Sequence, residues 1–397
     1  MSIAEKIKVG MAQGSWIRRM FEEGTALKQK YGAANVFDLS LGNPIMEPPD
    51  EFRRELRRLA ENPVPGMHRY MENAGYLETR AAVADTLCRE TGLKFTAGDV
   101  VMSGGAAGAL NVVLKTILNP GEEVIVLSPF FVEYLNYIDN QGGVGKVVPT
   151  GEGFLPDPSI LESAMTARTR AIIVNSPNNP TGVVYSSECL RILGETVRKK
   201  ESEFGTKVFL ISDEAYRKII YDGQEFPQVV LHHPRTIVLT SHSKDLALPG
   251  ERIGYMAVHP DCDDKRELID GLIYCNRVLG FVNAPALMQN IVRKLQSVTV
   301  SIAEYQRKRD FLYGNLTSMG YSMIRPQGAF YLFPRSPVED EVPFVRELQE
   351  SKVLAVPGRG FGLAGYFRIS YCVDDHTLEG SLDPFRKLAL KYGLNQQ

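Results

Sequence analysis

The sequence has 397 residues, more than one hydrophobic core usually organises, so two domains are expected. With 44% hydrophobic residues, 23% charged residues and a net charge of −2, the composition is that of a globular enzyme without general attraction to nucleic acid. Five cysteines lie far apart without CxxC spacing, which argues against a disulfide framework or a zinc site and favours a reducing compartment. Because no segment approaches the roughly 20 apolar residues of a membrane helix, and MSIAEKIKVG has no signal-peptide core, we expect a cytoplasmic protein.

The first element that the sequence indicates is an amphipathic helix from Ser15 to Tyr31. Its apolar positions include Trp16, Met20 and Leu27, which recur at helical spacing. Trp16 is the single tryptophan of the chain. It can either pack this helix against the rest of the protein or line the entrance of a site, and packing is the expectation.

From about residue 100, short apolar strands alternate with helical segments. A helix is predicted over 107–118, and strands are predicted over 99–102, 123–127, 171–175, 207–212, 236–240 and 253–258. Buried strands that alternate with helices are typical of a mostly parallel sheet with helices on both faces. The sequence therefore predicts an α/β fold.

The pattern changes after about residue 290. A long charged helix is predicted over 286–316, and strands are predicted over 328–333, 353–356 and 366–371, as in a smaller α+β unit. We expect three parts of the chain with these boundaries: an N-terminal segment, 1–45, that packs with the small domain, a large domain, 46–285, and the small domain, 286–397.

The segment from Ser241 to Tyr255 (SHSKDLALPGERIGY) carries the strongest chemical signal. It follows an apolar strand, so its polar groups leave the carboxyl end of that strand, where open α/β sheets place ligands. Burial there would lower the pKa of the Lys244 ammonium toward neutrality, and a neutral amine can attack a carbonyl. Ser241, Ser243 and Arg252 would suit a phosphate. The segment predicts a lysine that carries a phosphorylated carbonyl cofactor.

Four other features each have a structural interpretation that competes with a functional one. Asp213, followed by Tyr216, ends an apolar strand and is either a helix cap or a buried carboxylate that needs a partner. Asn179 lies in SPNNPTG, which by itself indicates a tight turn. Arg368 lies within an apolar strand, where it forms a salt bridge or binds an anion. Residues 103–108 (SGGAAG) form either a close-packed turn or an anion site made of backbone N–H groups.

Residues 360–365 (GFGLAG) match the GxGxxG pattern of dinucleotide-binding sites. The match precedes a predicted strand, whereas the dinucleotide fingerprint requires a helix there, so we reject that interpretation. The six histidines have no metal-ligand spacing, and neither GxSxG nor a Cys–His arrangement is present. No metal site is predicted.

The order of these motifs resembles that of the class I/II aminotransferases, which are fold-type I pyridoxal-phosphate enzymes, over nearly the whole chain. The matching segments are SLGNPIMEPP, HRYMENAGYLETR, SGGAAGAL, SPFFVEY, NSPNNPTG, SDEAY, SHSKDLALPGERIGY and GYFRISY. The resemblance implies a large domain with a mostly parallel seven-stranded sheet between helices, and a smaller α+β domain. It also implies pyridoxal 5′-phosphate as cofactor and a homodimer with shared active sites.

The resemblance assigns the acid–base chemistry to Lys244, Asp213 and Tyr216. Lys244 would bind the cofactor covalently and, once released by substrate, move a proton between the substrate Cα and the cofactor. Asp213 would pair with the pyridine nitrogen and keep it protonated. Tyr216 and Asn179 would form hydrogen bonds to the phenolic oxygen of the ring.

Other positions would hold the phosphate, the ring and the substrate. The implied phosphate contacts within the subunit are the backbone of Gly105, Ala106 and Ala107 and the side chains of Ser241, Ser243 and Arg252. Tyr70 would reach the phosphate of the neighbouring subunit. Phe131 would stack on the ring. Arg368 would bind the substrate α-carboxylate, assisted by Asn179 and by the backbone of Gly42.

Two positions depart from the pattern of the family. Family members often carry a polar side chain where this chain has Ala107, so a phosphate contact there must come from the backbone. Phe131 replaces the more usual tyrosine or tryptophan, which keeps the stacking and removes a hydrogen bond. Neither departure changes the expected reaction class.

The residues that read the substrate side chain are less evident. In one branch of aspartate-using relatives, a lysine in the glycine turn binds the distal carboxylate, but that position is Ala106 here. In another branch an arginine after the cofactor lysine has this role, and Arg277 lies near that place, slightly out of register. We hypothesise that Arg277 or Arg18 selects an acidic side chain. An ordinary interface salt bridge is the structural alternative for Arg277.

The leading prediction is an aminotransferase that moves an amino group between an L-amino acid and a 2-oxo acid such as 2-oxoglutarate. Aspartate or a broad range of amino acids would be the donor. A β-lyase or a decarboxylase of the same fold would use the same Lys244, Asp213 and Arg368, so the motifs do not separate these reactions. A regulatory protein of this fold would carry an N-terminal DNA-binding domain, and the segment before Ser40 is too short for one.

Overall fold

The computed structural model describes residues 2–13 and 16–394. The helices are α1 Glu5–Gln13, α2 Trp16–Tyr31, α3 Asp50–Glu61, α4 Leu77–Thr91, α5 Gly105–Ile117, α6 Glu133–Asn140, α7 Pro158–Ala164, α8 Ser187–Phe204, α9 His242–Asp245, α10 Lys265–Val278, α11 Ala286–Val292, α12 Ile302–Ser318, α13 Glu341–Glu350 and α14 Asp375–Lys391. The strands are β1 Phe37–Asp38, β2 Val100–Ser103, β3 Glu123–Ser128, β4 Val144–Pro149, β5 Thr169–Asn175, β6 Phe209–Asp213, β7 Thr236–Ser241, β8 Gly254–Val258, β9 Tyr331–Leu332, β10 Val353–Leu354, β11 Val356–Pro357 and β12 Phe367–Ser370. Within these ranges, no helix combines the length and the apolar character that crossing a membrane requires.

A seven-stranded sheet, in the order β2-β8-β7-β6-β5-β3-β4, forms the centre of the protein. Its strands run parallel except for β8, which is antiparallel to both of its neighbours. The predicted α/β fold with a mostly parallel sheet is confirmed. The sequence pattern missed β4 because this strand lies at the sheet edge, where only Val148 is buried and no apolar run is needed.

Alternate residues of the central strands pack on opposite faces of the sheet. In β5, Ile173 belongs to the apolar cluster on the side of α5 and α10, whereas Ile172 and Val174 belong to the cluster on the side of α7 and α8. Burial of both faces explains why these strands are continuous apolar runs in the sequence. The polar residues that follow the runs are therefore confined to the strand ends.

The C-terminal elements form smaller sheets around a separate apolar cluster. Strands β11, β12 and β9 are antiparallel neighbours, and β10 pairs in parallel with β1 from the N-terminal segment. Helix α2 contributes Met20 to a cluster with Val356 and Phe361, and Trp16 lies against this cluster, as the packing interpretation of the tryptophan expects. The boundaries of the two domains stay a prediction.

The prediction of one helix over 286–316 is wrong, because the structure has two helices, α11 and α12, separated by residues 293–301. Backbone groups of this connection form tertiary hydrogen bonds in place of helical ones. Lys218 Nζ donates to two of its carbonyl groups, and the Val300 N–H donates to the carbonyl of Asp245. Of the strand predicted over 328–333, only β9 forms a strand in the structure. The strand predicted over 353–356 is divided between β10 and β11, which lie in different sheets.

Candidate active site

A cavity of about 280 Å³ lies at the carboxyl ends of the parallel strands. The register of the sheet brings these ends together, since Asn175 of β5 pairs with Asp213 of β6, which pairs with Leu239 of β7. The predicted site residues that line the cavity are Gly42, Ala106, Ala107, Phe131, Asn179, Asp213, Tyr216, Ser241, Ser243, Lys244, Arg252 and Arg368. Residues separated by hundreds of positions in the chain thus meet at the edge where open α/β sheets bind ligands.

Lys244 lies in the short helix α9, which begins directly after β7. Ser241 caps this helix by accepting a hydrogen bond from the Ser243 N–H. The Lys244 Nζ donates to the Gly42 carbonyl at 2.6 Å. Burial lowers the pKa of this ammonium to about 8, Cys372 opposes that shift, and the positive charge of Arg368 adds to it. Part of the population therefore carries a neutral, nucleophilic amine near neutral pH.

Asp213, the last residue of β6, has one bonded and one free carboxylate oxygen. Its Oδ2 accepts a hydrogen bond from the Tyr134 hydroxyl at 2.5 Å, whereas Oδ1 is buried and has no partner among the described residues. Burial raises the pKa of the carboxyl, and the bond from Tyr134 opposes that rise. A buried oxygen without a partner is unfavourable unless a ligand donates to it. A protonated pyridine nitrogen in the cavity would do so.

The turn that begins α5 brings several hydrogen-bond donors together beside the cavity. Gly105 has a left-handed backbone (φ +82°), and a Cβ at this position would lie 3.0 Å from the Arg252 guanidinium and 3.4 Å from the Ser241 hydroxyl. The Ser241 and Ser243 hydroxyls are 2.6 Å apart. The N–H groups of the first helical turn, with Ala106 and Ala107 lining the cavity, add donors at the positive end of the helix. The donor set fits a phosphate group.

Arg368 of β12 is 2% exposed and places a buried cation where the C-terminal sheet borders the cavity. Its guanidinium donates to the Asn179 side chain at 3.0 Å and to the Ser40 carbonyl at 2.5 Å. Its Nε is buried and has no partner, and no carboxylate of the described residues forms a salt bridge with it. Burial lowers the pKa of this guanidinium, and because no described carboxylate pairs with it, its charge lacks compensation. A carboxylate ligand would provide it.

Four polar residues that line the cavity were missed by the sequence analysis, namely Tyr134, Tyr137, Asn175 and Tyr331. Tyr134 is three residues after Phe131 in SPFFVEY, and the two rings meet edge to face at 5.6 Å between centroids. Phe131 lies before helix α6, which begins at Glu133, so no helical spacing in the sequence marked Tyr134 as a site residue. Asn175 ends a predicted strand and donates to the Asp213 carbonyl at 3.0 Å.

Three predicted residues do not line the cavity of the single chain. Gly105 contributes through the position of its backbone, as described above. Tyr70 is 92% exposed. Arg277 is exposed, with its guanidinium 5.6 Å from the centroid of the Tyr274 ring. The side chain of Arg18 lies outside the described part of the structure.

The segment GFGLAG has a packing role in the structure. Residues 358–361 form a short 3₁₀ turn that leads to β12, which is the strand predicted to follow the motif. The Phe361 ring lies on the Arg368 guanidinium at 4.6 Å, and its carbonyl accepts the N–H of Phe130. The motif therefore connects Arg368 of β12 to the SPFF turn that follows β3 of the central sheet.

Comparisons with known proteins agree with this geometry. The family model described as aminotransferase class I and II matches residues 34–383. A probable aspartate/prephenate aminotransferase of Thermus aquaticus is 34% identical, covering 91% of this chain and 93% of the relative. An aromatic-amino-acid aminotransferase of Thermococcus litoralis is 30% identical and covers 98% of each chain. A crystal structure of an amino transferase from Eubacterium rectale superposes with a TM-score of 0.95 at 38% identity, covering 99% of both chains.

The match to the family model spans most of the chain, and relatives above the level of chance similarity cover nearly its whole length. The structural agreement extends to the central sheet and to the smaller C-terminal sheets. The chain therefore belongs to the class I and II aminotransferases, and it is a pyridoxal-phosphate-dependent enzyme that transfers an amino group between an amino acid and a 2-oxo acid.

Proposed function

We propose that the cavity at the sheet edge is the site where this enzyme binds pyridoxal phosphate and carries out the transfer. The observation that carries this proposal is the buried Lys244 amine, which shares one cavity with the free Oδ1 of Asp213 and with Arg368. When bound, pyridoxal phosphate supplies an electron sink for the charge left at the substrate Cα. Lys244 holds the cofactor and then moves the proton at Cα, while Asp213 keeps a proton on the pyridine nitrogen.

The remaining residues hold the two ends of the ligand. The phosphate is bound by the backbone of Gly105, Ala106 and Ala107 and by the side chains of Ser241, Ser243 and Arg252. Phe131 packs on the ring, and Tyr216 and Asn179 bind its phenolic oxygen. Arg368 binds the substrate α-carboxylate with help from Asn179 and from the backbone of Gly42.

We infer a homodimer from an exposed apolar surface beside the phosphate turn. Tyr70, Tyr274, Val278 and Phe281 are exposed, and Phe281 lies within 4 Å of a Cβ built on Gly104 in the turn or on Gly108 in α5. Large apolar side chains exposed in this number are typical of an interface. In the proposed dimer Tyr70 reaches the phosphate of the other subunit. A monomer in analytical ultracentrifugation at the concentration of the activity assay would contradict the proposal.

Aspartate is the proposed donor and 2-oxoglutarate the proposed acceptor, and a broader range that includes aromatic amino acids is the alternative. The names of the relatives, aspartate/prephenate and aromatic-amino-acid aminotransferase, support both donor classes. Arg277 is the candidate that reads an acidic side chain, and from its exposed position it would do so across the dimer interface. Arg277→Ala should reduce turnover of aspartate far more than turnover of alanine. Equal losses for both donors would refute this role.

The reaction is tested by incubating the enzyme with one amino acid and 2-oxoglutarate. Glutamate formed in a one-to-one ratio with the 2-oxo acid product supports the transfer, whereas pyruvate and ammonia would indicate lyase chemistry. Absorbance of the bound cofactor during the half-reaction with each amino acid alone ranks the donors. Enzyme without Lys244 should bind pyridoxal phosphate and complete no turnover.

The domain boundaries and the cellular location are further proposals. Residues 46–285 would form the large cofactor-binding domain and 286–397 the small domain, with 1–45 packing on the latter. Pairing of β1 with β10 supports the place of the N-terminal segment. A cytoplasmic location is in keeping with the five cysteines, which are all free.

A further inference from the structure

Tyr331 contacts both halves of the active site with different parts of one side chain. It lies in β9, opposite Ser370 of β12 and therefore two positions from Arg368 on the neighbouring strand. Its ring centroid is 4.6 Å from the Arg368 guanidinium, and its hydroxyl is 2.8 Å from the hydroxyl of Tyr216. The residue is 2% exposed and lines the cavity. One side chain thus links the group proposed for the substrate carboxylate to the group proposed for the cofactor ring.

The Tyr331 hydroxyl also lies against the backbone that holds Lys244. A Cβ at Gly42 would overlap this hydroxyl, so the close approach requires glycine at that position. The Gly42 carbonyl accepts the hydrogen bond from the Lys244 Nζ. The position of the hydroxyl is therefore limited on two sides, by Tyr216 and by the Gly42 backbone.

The direction of the hydrogen bond between the two tyrosines follows from the proposed role of Tyr216, which uses its single proton to donate to the cofactor. Burial raises the pKa of both hydroxyls, to about 12 for Tyr331, so both keep their protons near neutral pH. The groups that face Tyr331 are Arg368, Cys372 and Tyr216, and the positive charge of Arg368 lowers the pKa of both hydroxyls, so the charge does not select the donor. Each hydroxyl carries one proton, so a Tyr216 that donates to the cofactor has to accept from Tyr331 across the 2.8 Å between their oxygens. With Tyr331 as donor, the single proton of Tyr216 is left free to point into the cavity.

We propose that Tyr331 is a positioning residue with two separable roles: its ring orients Arg368 for the substrate carboxylate, and its hydroxyl donates to Tyr216, so that Tyr216 donates to the phenolic oxygen of the cofactor. The proposal rests on the proposed role of Tyr216. A hydroxyl that accepts a hydrogen bond is a stronger donor, by roughly 10–30% per bond. Tyr331 therefore strengthens the bond from Tyr216 and favours the deprotonated form of the cofactor oxygen.

Three variants and their combination test the proposal on the holoenzyme. The first measurement is the pH midpoint of the absorbance change of the bound cofactor. Tyr216→Phe should raise this midpoint on the order of one pH unit, because a bond to a charged oxygen is lost. Tyr331→Phe, which keeps the ring, should raise it by a few tenths of a pH unit and leave the KM for the amino acid within about twofold. In the Tyr216→Phe background, Tyr331→Phe should add no further shift.

Tyr331→Leu tests the other role, because it removes the ring. The KM for the amino acid should rise about tenfold, as expected from losing a buried contact between a cation and a ring. Tyr371→Phe is the matched control, since Tyr371 is also buried and bonds to another tyrosine, Tyr221, outside the cavity. It should leave both the pH midpoint and the KM unchanged.

The outcomes separate this inference from the role of Tyr216. If Tyr216→Phe shifts the midpoint and Tyr331→Phe does not, or if the two shifts add, Tyr331 does not act through Tyr216. If neither variant shifts the midpoint, the proposed role of Tyr216 is wrong, and the hydroxyl role of Tyr331 is wrong with it. An unchanged KM in Tyr331→Leu would overturn the role of the ring.

Discussion

Tyr134→Phe should weaken cofactor binding, because the Tyr134 hydroxyl is the group that donates to Asp213 Oδ2. The substitution keeps the ring, which is buried and packs edge to face on Phe131. It removes one hydrogen bond to a carboxylate whose other oxygen has no hydrogen-bond partner among the described residues. Burial already raises the pKa of Asp213, and the bond from Tyr134 limits that rise. Without the bond, the carboxylate is less able to hold a proton on the pyridine nitrogen.

The bond is present without the cofactor, so only the part of its about 1.5–3 kcal/mol that strengthens on binding enters the affinity, and we expect roughly a three- to tenfold increase in the dissociation constant of pyridoxal phosphate. The loss should be larger on the acid side, since a higher pKa means that Asp213 becomes neutral at a higher pH. Equilibrium dialysis of the apoenzyme with pyridoxal phosphate at several pH values measures both effects. The readout does not depend on turnover.

Tyr321→Phe is the control for this experiment. Tyr321 is also buried and donates to a backbone carbonyl, that of Phe385, but it lies outside the cavity. It should cost a similar amount of folding stability and leave the cofactor affinity unchanged. If Tyr134→Phe binds pyridoxal phosphate as tightly as the wild type at every pH, the inferred support of Asp213 by Tyr134 is refuted.

Three further predictions concern Lys244 and its surroundings. Lys244→Ala should fold and bind pyridoxal phosphate but lose catalytic turnover, and multiple turnovers in a coupled assay would contradict its role. Burial lowers the pKa of Lys244 to about 8. The rate at which the apoenzyme combines with pyridoxal phosphate should therefore rise with pH and level off above that value, because the neutral amine is the nucleophile. A rate that does not change with pH in stopped-flow absorbance would contradict this. Lys218→Met should lower the free energy of unfolding by about 3 kcal/mol in urea titrations, because Lys218 Nζ lies 3.1 Å from the buried Asp245 carboxylate, which would lose this partner. An unchanged urea midpoint would show that this ion pair does not stabilise the fold.

The sequence predicted the groups at the strand ends because one physical rule covers them all. Parallel strands that are buried on both faces are apolar along their length, so the first polar residue after each run marks the common edge of the sheet. Asp213 and the segment that carries Lys244 were found in this way, whereas Asn179 was assigned by the resemblance and Asn175, which ends its strand, was missed. The structure brings all four residues to one cavity. The resemblance to the family added what each group would bind.

The groups that orient these residues could not be predicted by the same rule. Tyr134 is 79 residues from Asp213 in the chain, and Tyr331 is 115 residues from Tyr216. Each occupies an apolar segment where an aromatic residue is expected for packing alone, so its hydroxyl carries no sequence signal. The break in the predicted helix 286–316 has the same origin, because the competing hydrogen bonds come from distant residues. Local sequence patterns predict helices and strands well, except where a tertiary contact gives the backbone a more favourable hydrogen bond.

We expect the choice of substrate to depend on the proposed dimer. The cations that line the cavity among the described residues are Lys244, Arg252 and Arg368, and the proposed mechanism uses them for the cofactor, the phosphate and the α-carboxylate. None is left to bind a second carboxylate of an acidic substrate. If aspartate is the donor, another cation has to enter from outside the described cavity, and Arg277 is an exposed cation beside the exposed Tyr274. Turnover of aspartate would then require the dimer. A variant that dissociates the dimer should lose aspartate turnover, because Arg277 of the other subunit is no longer at the site.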